Sequence, residues 1–365
     1  MKKMLAIALG VVLLGNALLA SADVGNPINK NSKDPIKLAV FGDWPYSTDL
    51  LNEAPLLINS INSDPKVRLV LHIGDIHSGS MPCTGAGLNP IPAPSDPNWN
   101  IGIFNLFQQF KNPFVYTPGD NEWTDCHKKK EGNGVIGSGA PLNELAAVRD
   151  LFFQDPGHTL GESGKQVLTQ AHEFDPTHPT DAKFVENVMW EESQVVFVTL
   201  NVPGSNNDGI KWTAPFTDET ARQQEVAERS GADLRWLEQA FAVAERDDAK
   251  GILIGLQADM WDPEALAPGG DGLNGYDSFV QRLAELSVHF GRPVLLINGD
   301  SHVFEVDQPL ADPNSATGKI HNTQSVPNLT RITVEGSTPA NEWLRLSIDP
   351  RSEGIFTWDR IQYLP

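Results

Sequence analysis

Val67-Arg68-Leu69-Val70-Leu71-His72-Ile73-Gly74-Asp75 is the stretch on which the fold turns. It is an apolar, partly β-branched run that stops at Gly-Asp. A short apolar run bounded by turn residues reads as a buried strand. An aspartate at its carboxyl end falls where open α/β folds collect their ligands. The pattern recurs three times. Ile36-Lys37-Leu38-Ala39-Val40-Phe41 stops at Gly42-Asp43, Phe114-Val115-Tyr116-Thr117-Pro118 at Gly119-Asp120, and Pro293-Val294-Leu295-Leu296-Ile297-Asn298 at Gly299-Asp300. Glycine at each end permits a sharp turn. Four strand-end aspartates imply a carboxylate cluster, and such a cluster stays ionised only with positive charge among it. Metal ions meet that need, and Asp75 is the expected centre.

Between these strands the spacing predicts a helix from near Asn52, with Pro55 in its first turn, and another near Ile101 to Phe110. Leu234, Leu237 and Phe241 recur at helical intervals, so Leu234 to Arg246 reads as an amphipathic helix. Tyr276 to Phe290 reads as one more. Further strands are expected at Gln194 to Asn201, at Gly251 to Leu256 (ending at Gln257), and at Leu329 to Glu335, Trp343 to Ile348 and Ile355 to Asp359. Pro203 to Gly209 reads as a polar loop. Strand–helix alternation comes first and antiparallel-looking strands come last, which implies an α/β (α+β) domain with a mixed sheet covered by helices. Residues 23–365 are read as a single domain. Long irregular stretches run from Ser78 to Asn100, Trp123 to Ala140 and Gln154 to Pro179. His158, His172 and His178 in the last have no tight ligand spacing and are expected at the surface.

The chain opens with Met1-Lys2-Lys3, an apolar run and Ala20-Ser21-Ala22, the layout of a secretory signal peptide over residues 1–22. A periplasmic or secreted protein is therefore expected, with no further contact with the membrane. The formal charge is −20, from 47 Asp and Glu against 27 Lys and Arg. So acidic a chain repels nucleic acid and anionic lipid, which argues against both as partners. No feature of the sequence bears on the oligomeric state. The two cysteines, Cys83 and Cys126, follow the Asp75 and Asp120 strands. Export implies an oxidising compartment, so a disulfide joining two site loops is expected if those strand ends converge.

The order of motifs resembles the calcineurin-like metallophosphoesterases, and within them the purple acid phosphatase pattern. Gly42-Asp43-Trp44, Gly74-Asp75, Gly119-Asp120-Asn121-Glu122, Gln257 and Gly299-Asp300-Ser301-His302 stand where that family has its five motifs. The resemblance implies a two-sheet β sandwich flanked by helices, with two divalent metals at the carboxyl ends of the strands. It assigns Asp43, Asp75 and His302 to a first metal, with Zn or Fe as suitable ions. The family's additional ligand there falls on Pro45 or Ser78, so it is missing or supplied by a neighbour such as His77 or Tyr46. The second metal falls to the shared Asp75 with Asp120, Gln257 and Asp300. Oxygen has replaced every nitrogen ligand at this site, which favours Mg²⁺, Mn²⁺ or Ca²⁺ over Zn or Fe. The family's third-motif histidine is Asn121, which can donate a hydrogen bond but cannot serve as a general acid near neutral pH.

What the resemblance implies is an exported phosphoesterase that hydrolyses a small-molecule or otherwise phosphorylated substrate with a metal-activated hydroxide. Asp75 would bridge the ions and Asn121 would orient the phosphate. Glu122 is expected to brace its loop. Lys128-Lys129-Lys130 reads as a solvated loop that could draw an anion, and His127 as a less favoured replacement for the missing acid. The ligand changes also fit a second reading, a non-catalytic metal-binding relative that uses the same cleft for a ligand or partner.

Overall fold

The computed structural model describes residues 32–83, 99–128, 139–337 and 341–364. The expected signal peptide, most of the loop after Ser78, Lys129 and Lys130 lie outside them. Two sheets make the fold. The first has five strands in the order β12-β11-β1-β2-β3, with β1 Ile36–Phe41, β2 Val67–His72, β3 Phe114–Tyr116, β11 Glu342–Ile348 and β12 Phe356–Gln362. The second has seven in the order β4-β5-β6-β7-β8-β10-β9. These are β4 Leu168–Thr169, β5 Val188–Glu192, β6 Val195–Thr199, β7 Gly251–Gly255, β8 Val294–Asn298, β9 Glu305–Asp307 and β10 Leu329–Thr333.

Side chains alternate across a strand, and here both faces of each sheet are covered. Leu38, Val40, Leu69 and Leu71 meet Phe197, Leu253, Leu295 and Ile297 in the core between the sheets. Ala39, Phe41 and Val70 face outward onto the helices Thr48–Asn62 and Trp99–Phe107. Val196, Val198, Ile252 and Ile254 face outward from the other sheet onto Glu219–Arg246 and Asp277–Phe290. Burial on both faces is why these strands read as continuous apolar runs. The result is the two-sheet α/β sandwich that the resemblance implied.

Three local expectations need correction. The first helix starts at Thr48, where the Ser47 side chain caps it by accepting from the Leu50 N–H at 3.2 Å. Pro55 therefore sits mid-helix. It lies on the exposed side, where the carbonyl it leaves unbonded can meet water. β5 was not expected. It pairs antiparallel with β6 through Ser193-Gln194, both at positive φ, the backbone of a two-residue hairpin turn without its usual Asn or Gly. The polar loop after β6 is a left-handed turn, with Ser205 to Asp208 at φ of 54, 57, 61 and 58°.

β1, β2 and β3 run parallel, and so do β6, β7 and β8. Their carboxyl ends bring the Gly-Asp motifs of both sheets together.

Candidate metal centre

Backbone bonds set the first two motifs side by side. The Asp43 N–H donates to the Gly74 carbonyl and the Trp44 N–H to the Asp75 carbonyl, each at 2.9 Å. His72, at the end of β2, locks both turns. Its Nδ1 accepts from the Gly74 N–H at 3.2 Å, so Nε2 carries the proton and donates to the Trp44 carbonyl at 3.0 Å. Burial pulls its pKa down to about 3, against the opposing pull of the Trp44 bond, and the ring is neutral.

Three of the four motif aspartates, rather than most of the glycines, adopt the left-handed backbone. Asp43, Asp75, Asp300 and His302 have φ of 48, 60, 74 and 63°, a conformation that costs energy and persists where surroundings over-determine it. Of the four motif glycines only Gly74 is left-handed. Elsewhere the need is space. A Cβ on Gly119 would lie 2.0 Å from Asp75 Oδ1, and one on Gly299 would lie 2.2 Å from Asp43 Oδ2. The third and fourth Gly-Asp motifs thus make room for the carboxylates of the second and first.

One half of the centre is tightly drawn. Asp43, Asp75 and His302 place one ligand atom each within 4.8 Å of one another, the only such acidic or histidine trio among the described residues. The Tyr46 hydroxyl lies among them, 2.7 Å from Asp75 Oδ2, 3.3 Å from Asp43 Oδ1 and 3.1 Å from His302 Nε2. Of the two neighbours named for the missing ligand, the structure brings in Tyr46. His77 is buried with Nδ1 donating to the Ser78 carbonyl at 3.1 Å. Two carboxylates, an imidazole and a phenol make a mixed oxygen and nitrogen set that fits Zn or Fe. Asn121 is aimed at the same half. Its two amide hydrogens go to Tyr46 Oη and Asp75 Oδ2, both at 2.9 Å, and its backbone N–H goes to Asp75 Oδ1 at 3.1 Å.

The other half is oxygen-rich and more open. Asp120 and Asp300 point into one space, since a Cβ on Gly204 would lie 2.7 Å from an oxygen of each. That cradle fits a hard cation. Gln257 faces it with its amide nitrogen, 3.2 Å from Asp75 Oδ2 and 3.3 Å from Asp120 Oδ1, while its Oε1 accepts from the Gly204 N–H at 2.5 Å. In this arrangement Gln257 is a donor to the carboxylates, and ligation would require its amide to turn over. Ser205 Oγ lies 2.8 Å from Asp120 Oδ2 and 2.7 Å from Asp125 Oδ1. A cavity of about 350 Å³ opens here, lined by Asp120, Asp125, Lys128, Ser205, Asp259 and Asp300 among others.

Electrostatics ask for cations in both halves. Burial and then the neighbouring carboxylates push Asp75 and Asp300 well above the usual range. Burial and Asp125 bring Asp120 up to about 7, with Lys128 and Ser205 opposing. Burial lowers the His302 pKa, but its bond to Asp43 outweighs this and the net shift is upward. Buried carboxylates in such numbers hold protons or metal.

The flanking residues sort themselves. Cys83 and Cys126 form the expected disulfide, Cα–Cα 5.6 Å. Glu122 braces its loop, accepting from the Ile76 N–H at 3.1 Å and the Tyr116 hydroxyl at 2.8 Å. His127 Nδ1 accepts from the Thr213 N–H at 3.0 Å, which does not favour it as an acid. Lys128 is half-buried and ion-paired, not solvated. Sequence reasoning missed Ser205, whose only signal was its place in a Gly-Ser-Asn-Asn loop, and the locking role of His72. No helix among the described residues is long and apolar enough to cross a membrane.

The family whose pattern matches the chain, over residues 36–304, is described as calcineurin-like phosphoesterase. No curated protein matches. One similar solved structure is described as GAP50, the anchor in the inner membrane complex of Plasmodium. It shows 12% identity and a TM-score of 0.43 over 90% of this chain and 89% of that one. Another is the NAD nucleotidase of Haemophilus influenzae, with 12% identity and a TM-score of 0.40. That match takes in 90% of this chain and 55% of the nucleotidase.

Proposed function

Because the chain belongs to the calcineurin-like phosphoesterases, a family of metal-dependent hydrolases, we propose that it is an exported phosphoesterase holding two unlike divalent ions. The observation that carries this reading is the trio of Asp43, Asp75 and His302 within 4.8 Å, with the Tyr46 hydroxyl among them. Asp43, Asp75, His302 and Tyr46 would hold the first ion, Zn or Fe. Asp75 would be shared, and Asp120, Asp300 and a turned Gln257 would hold the second, Mg²⁺, Mn²⁺ or Ca²⁺. When bound, such ions acidify water and neutralise charge on phosphoryl oxygens.

The chain's own residues set the geometry around that chemistry. His72 and the paired backbone of the first two motifs fix Asp43 and Asp75 relative to each other. Asn121 holds Asp75 and Tyr46 with its two amide hydrogens. It orients a substrate phosphate by releasing one of them. The expected substrate is a small phosphorylated molecule that enters through the cavity beside Asp120 and Asp300. Residues 23–365 act as one catalytic unit, in the periplasm or outside the cell.

One observation favours the second reading, a non-catalytic metal-binding relative. The place of the family's acid is taken by an amide whose hydrogens are already committed. Elemental analysis of the purified protein, with a panel of phosphomonoesters and diesters, tests both. Bound metal with hydrolysis supports the enzyme. Bound metal with no turnover of any ester supports the relative, and no metal under any condition contradicts both.

A further inference from the structure

We propose that Lys128 is a resident cation of the second half of the centre, one that weakens and tunes the binding of the second metal ion. This rests on the two-ion reading above. The ammonium carries three hydrogens, and three acceptors surround it: Ser205 Oγ at 2.8 Å, Asp125 Oδ2 at 3.0 Å and Asp271 Oδ2 at 3.2 Å. All its donors are used within the protein, so Lys128 is not poised to bind an incoming phosphate. Its partner Ser205 reaches Asp120 Oδ2 at 2.8 Å. The chain of contacts thus runs Asp271, Lys128, Ser205, Asp120, from the rim of the cavity to a proposed metal ligand.

The surroundings hold this cation in place. Ser205 sits in the left-handed turn, and that turn is clamped from the 219–246 helix. Arg222 Nη1 donates to the Asp208 carbonyl at 2.6 Å, and Arg229 Nη2 to the Asn207 carbonyl at 3.2 Å. The fully buried Arg229 is itself paired with Glu225 at 2.8 Å. A charge held this way repels a dication in the cradle of Asp120 and Asp300 and, through Ser205, partly satisfies Asp120 when the dication leaves. The amide nitrogen of Gln257, directed at Asp75 and Asp120, acts in the same sense. Among the described residues no lysine or arginine meets the first half: the side chains of Asp43, Asp75 and His302 bond to Tyr46, Asn121, Gln257 and backbone donors. The second ion is therefore held more weakly than the first and follows the local concentration of divalent metal.

The test is calorimetric titration of the metal-stripped protein with Mn²⁺, read alongside the Mn²⁺ electron paramagnetic resonance spectrum. The unaltered protein should bind one Mn²⁺ tightly and a second more weakly. Lys128→Met should tighten the second step by about tenfold or more, in line with removing a like charge in a partly buried site, and leave the first step in place. Lys128→Arg should keep the unaltered pattern. Asp271→Asn, which loosens the lysine from the rim without touching a proposed ligand, provides a milder variant should Lys128→Met fail to fold. It should shift the second step without altering the first. A second step that is unmoved or weakened in Lys128→Met, or unmoved in Asp271→Asn where the former does not fold, overturns the proposal. So does Lys128→Arg behaving as Lys128→Met does. Absence of the first step in every protein, by contrast, contradicts the metal reading itself.

Discussion

The two halves of the centre solve the same electrostatic problem in different ways. Around Asp43, Asp75 and His302 the ligand atoms are close together, and a phenol and an amide fill the remaining directions. Around Asp120 and Asp300 the carboxylates are set apart over a glycine, and the chain supplies a glutamine amide, a serine and an ammonium. The first half is preorganised for an ion with some affinity for nitrogen. The second is a cradle of hard oxygens already partly compensated by the protein. Loss of imidazole from Gln257 and Asp300 has therefore not emptied that half of structure. On the two-ion reading proposed above, it changes which cation fits and how firmly.

The largest effect should come from the residue common to both. Asp75→Asn removes the shared charge, and we expect loss of both ions with a fall in phosphoesterase kcat/KM on the order of a thousandfold. Elemental analysis checks this, and full occupancy in Asp75→Asn would break the symmetry of the comparison at its centre.

The disulfide joins the two halves, because Cys83 follows the Asp75 motif and Cys126 the Asp120 motif. It closes a loop with a sequence separation of 43 residues, worth about 4 kcal/mol in the chain-entropy view. Replacing both cysteines by serine should lower equilibrium stability by roughly that amount in denaturant titration. A free-thiol count on the unreduced protein should find none, and two reactive thiols would remove the link.

Glycine substitutions separate the halves. A Cβ at Gly299 strikes Asp43, whereas one at Gly204 strikes Asp120 and Asp300. Each change should cost about 1–3 kcal/mol by overpacking. Gly299→Ala should lose the first ion preferentially, and Gly204→Ala only the second. Equal loss of both ions in either variant would show that the halves do not act separately.

Much of this was legible in the sequence. Strands covered on both faces announce themselves as unbroken apolar runs, and the aspartates stand at their ends, so Asp43, Asp75, Asp120 and Asp300 are legible from the sequence alone. The two-sheet arrangement was not readable from the runs themselves, since Leu38 and Ala39 look alike in sequence but face different cores. The motif glycines were read as turns, and three of the four serve instead to clear space. Tyr46 could only be offered as an alternative to His77, because three residues of spacing do not say which way a ring points. The Lys128–Ser205 contact spans 77 residues and depends on a left-handed turn that no local signal marks. β5 escaped notice because Ser193-Gln194 makes its turn without glycine or asparagine.

A further effect, read as a pH profile, concerns the scaffold of the first half. His72 is buried and neutral, with its pKa lowered from 6.5 to about 3. Unfolding below pH 6.5 lets it take up a proton that the folded state refuses. Its contribution to stability is therefore complete above pH 6.5 and is lost as pH falls toward 3, at up to about 1.4 kcal/mol per pH unit. The raised aspartates have the opposite slope, so the informative quantity is a difference. Subtracting the pH profile of His72→Phe from that of the unaltered protein should leave a term that rises from pH 3 to 6.5, and a flat difference would contradict the neutral ring assigned here.

The most direct test of unlike sites is metal content and phosphoesterase activity after chelation and refilling with single metals and with pairs. The account predicts one equivalent of Zn or Fe held in the first site, with Mg²⁺, Mn²⁺ or Ca²⁺ filling the second and needed for full activity. Tight filling of both sites by Zn, with Mg²⁺, Mn²⁺ and Ca²⁺ unable to compete at either, would contradict it.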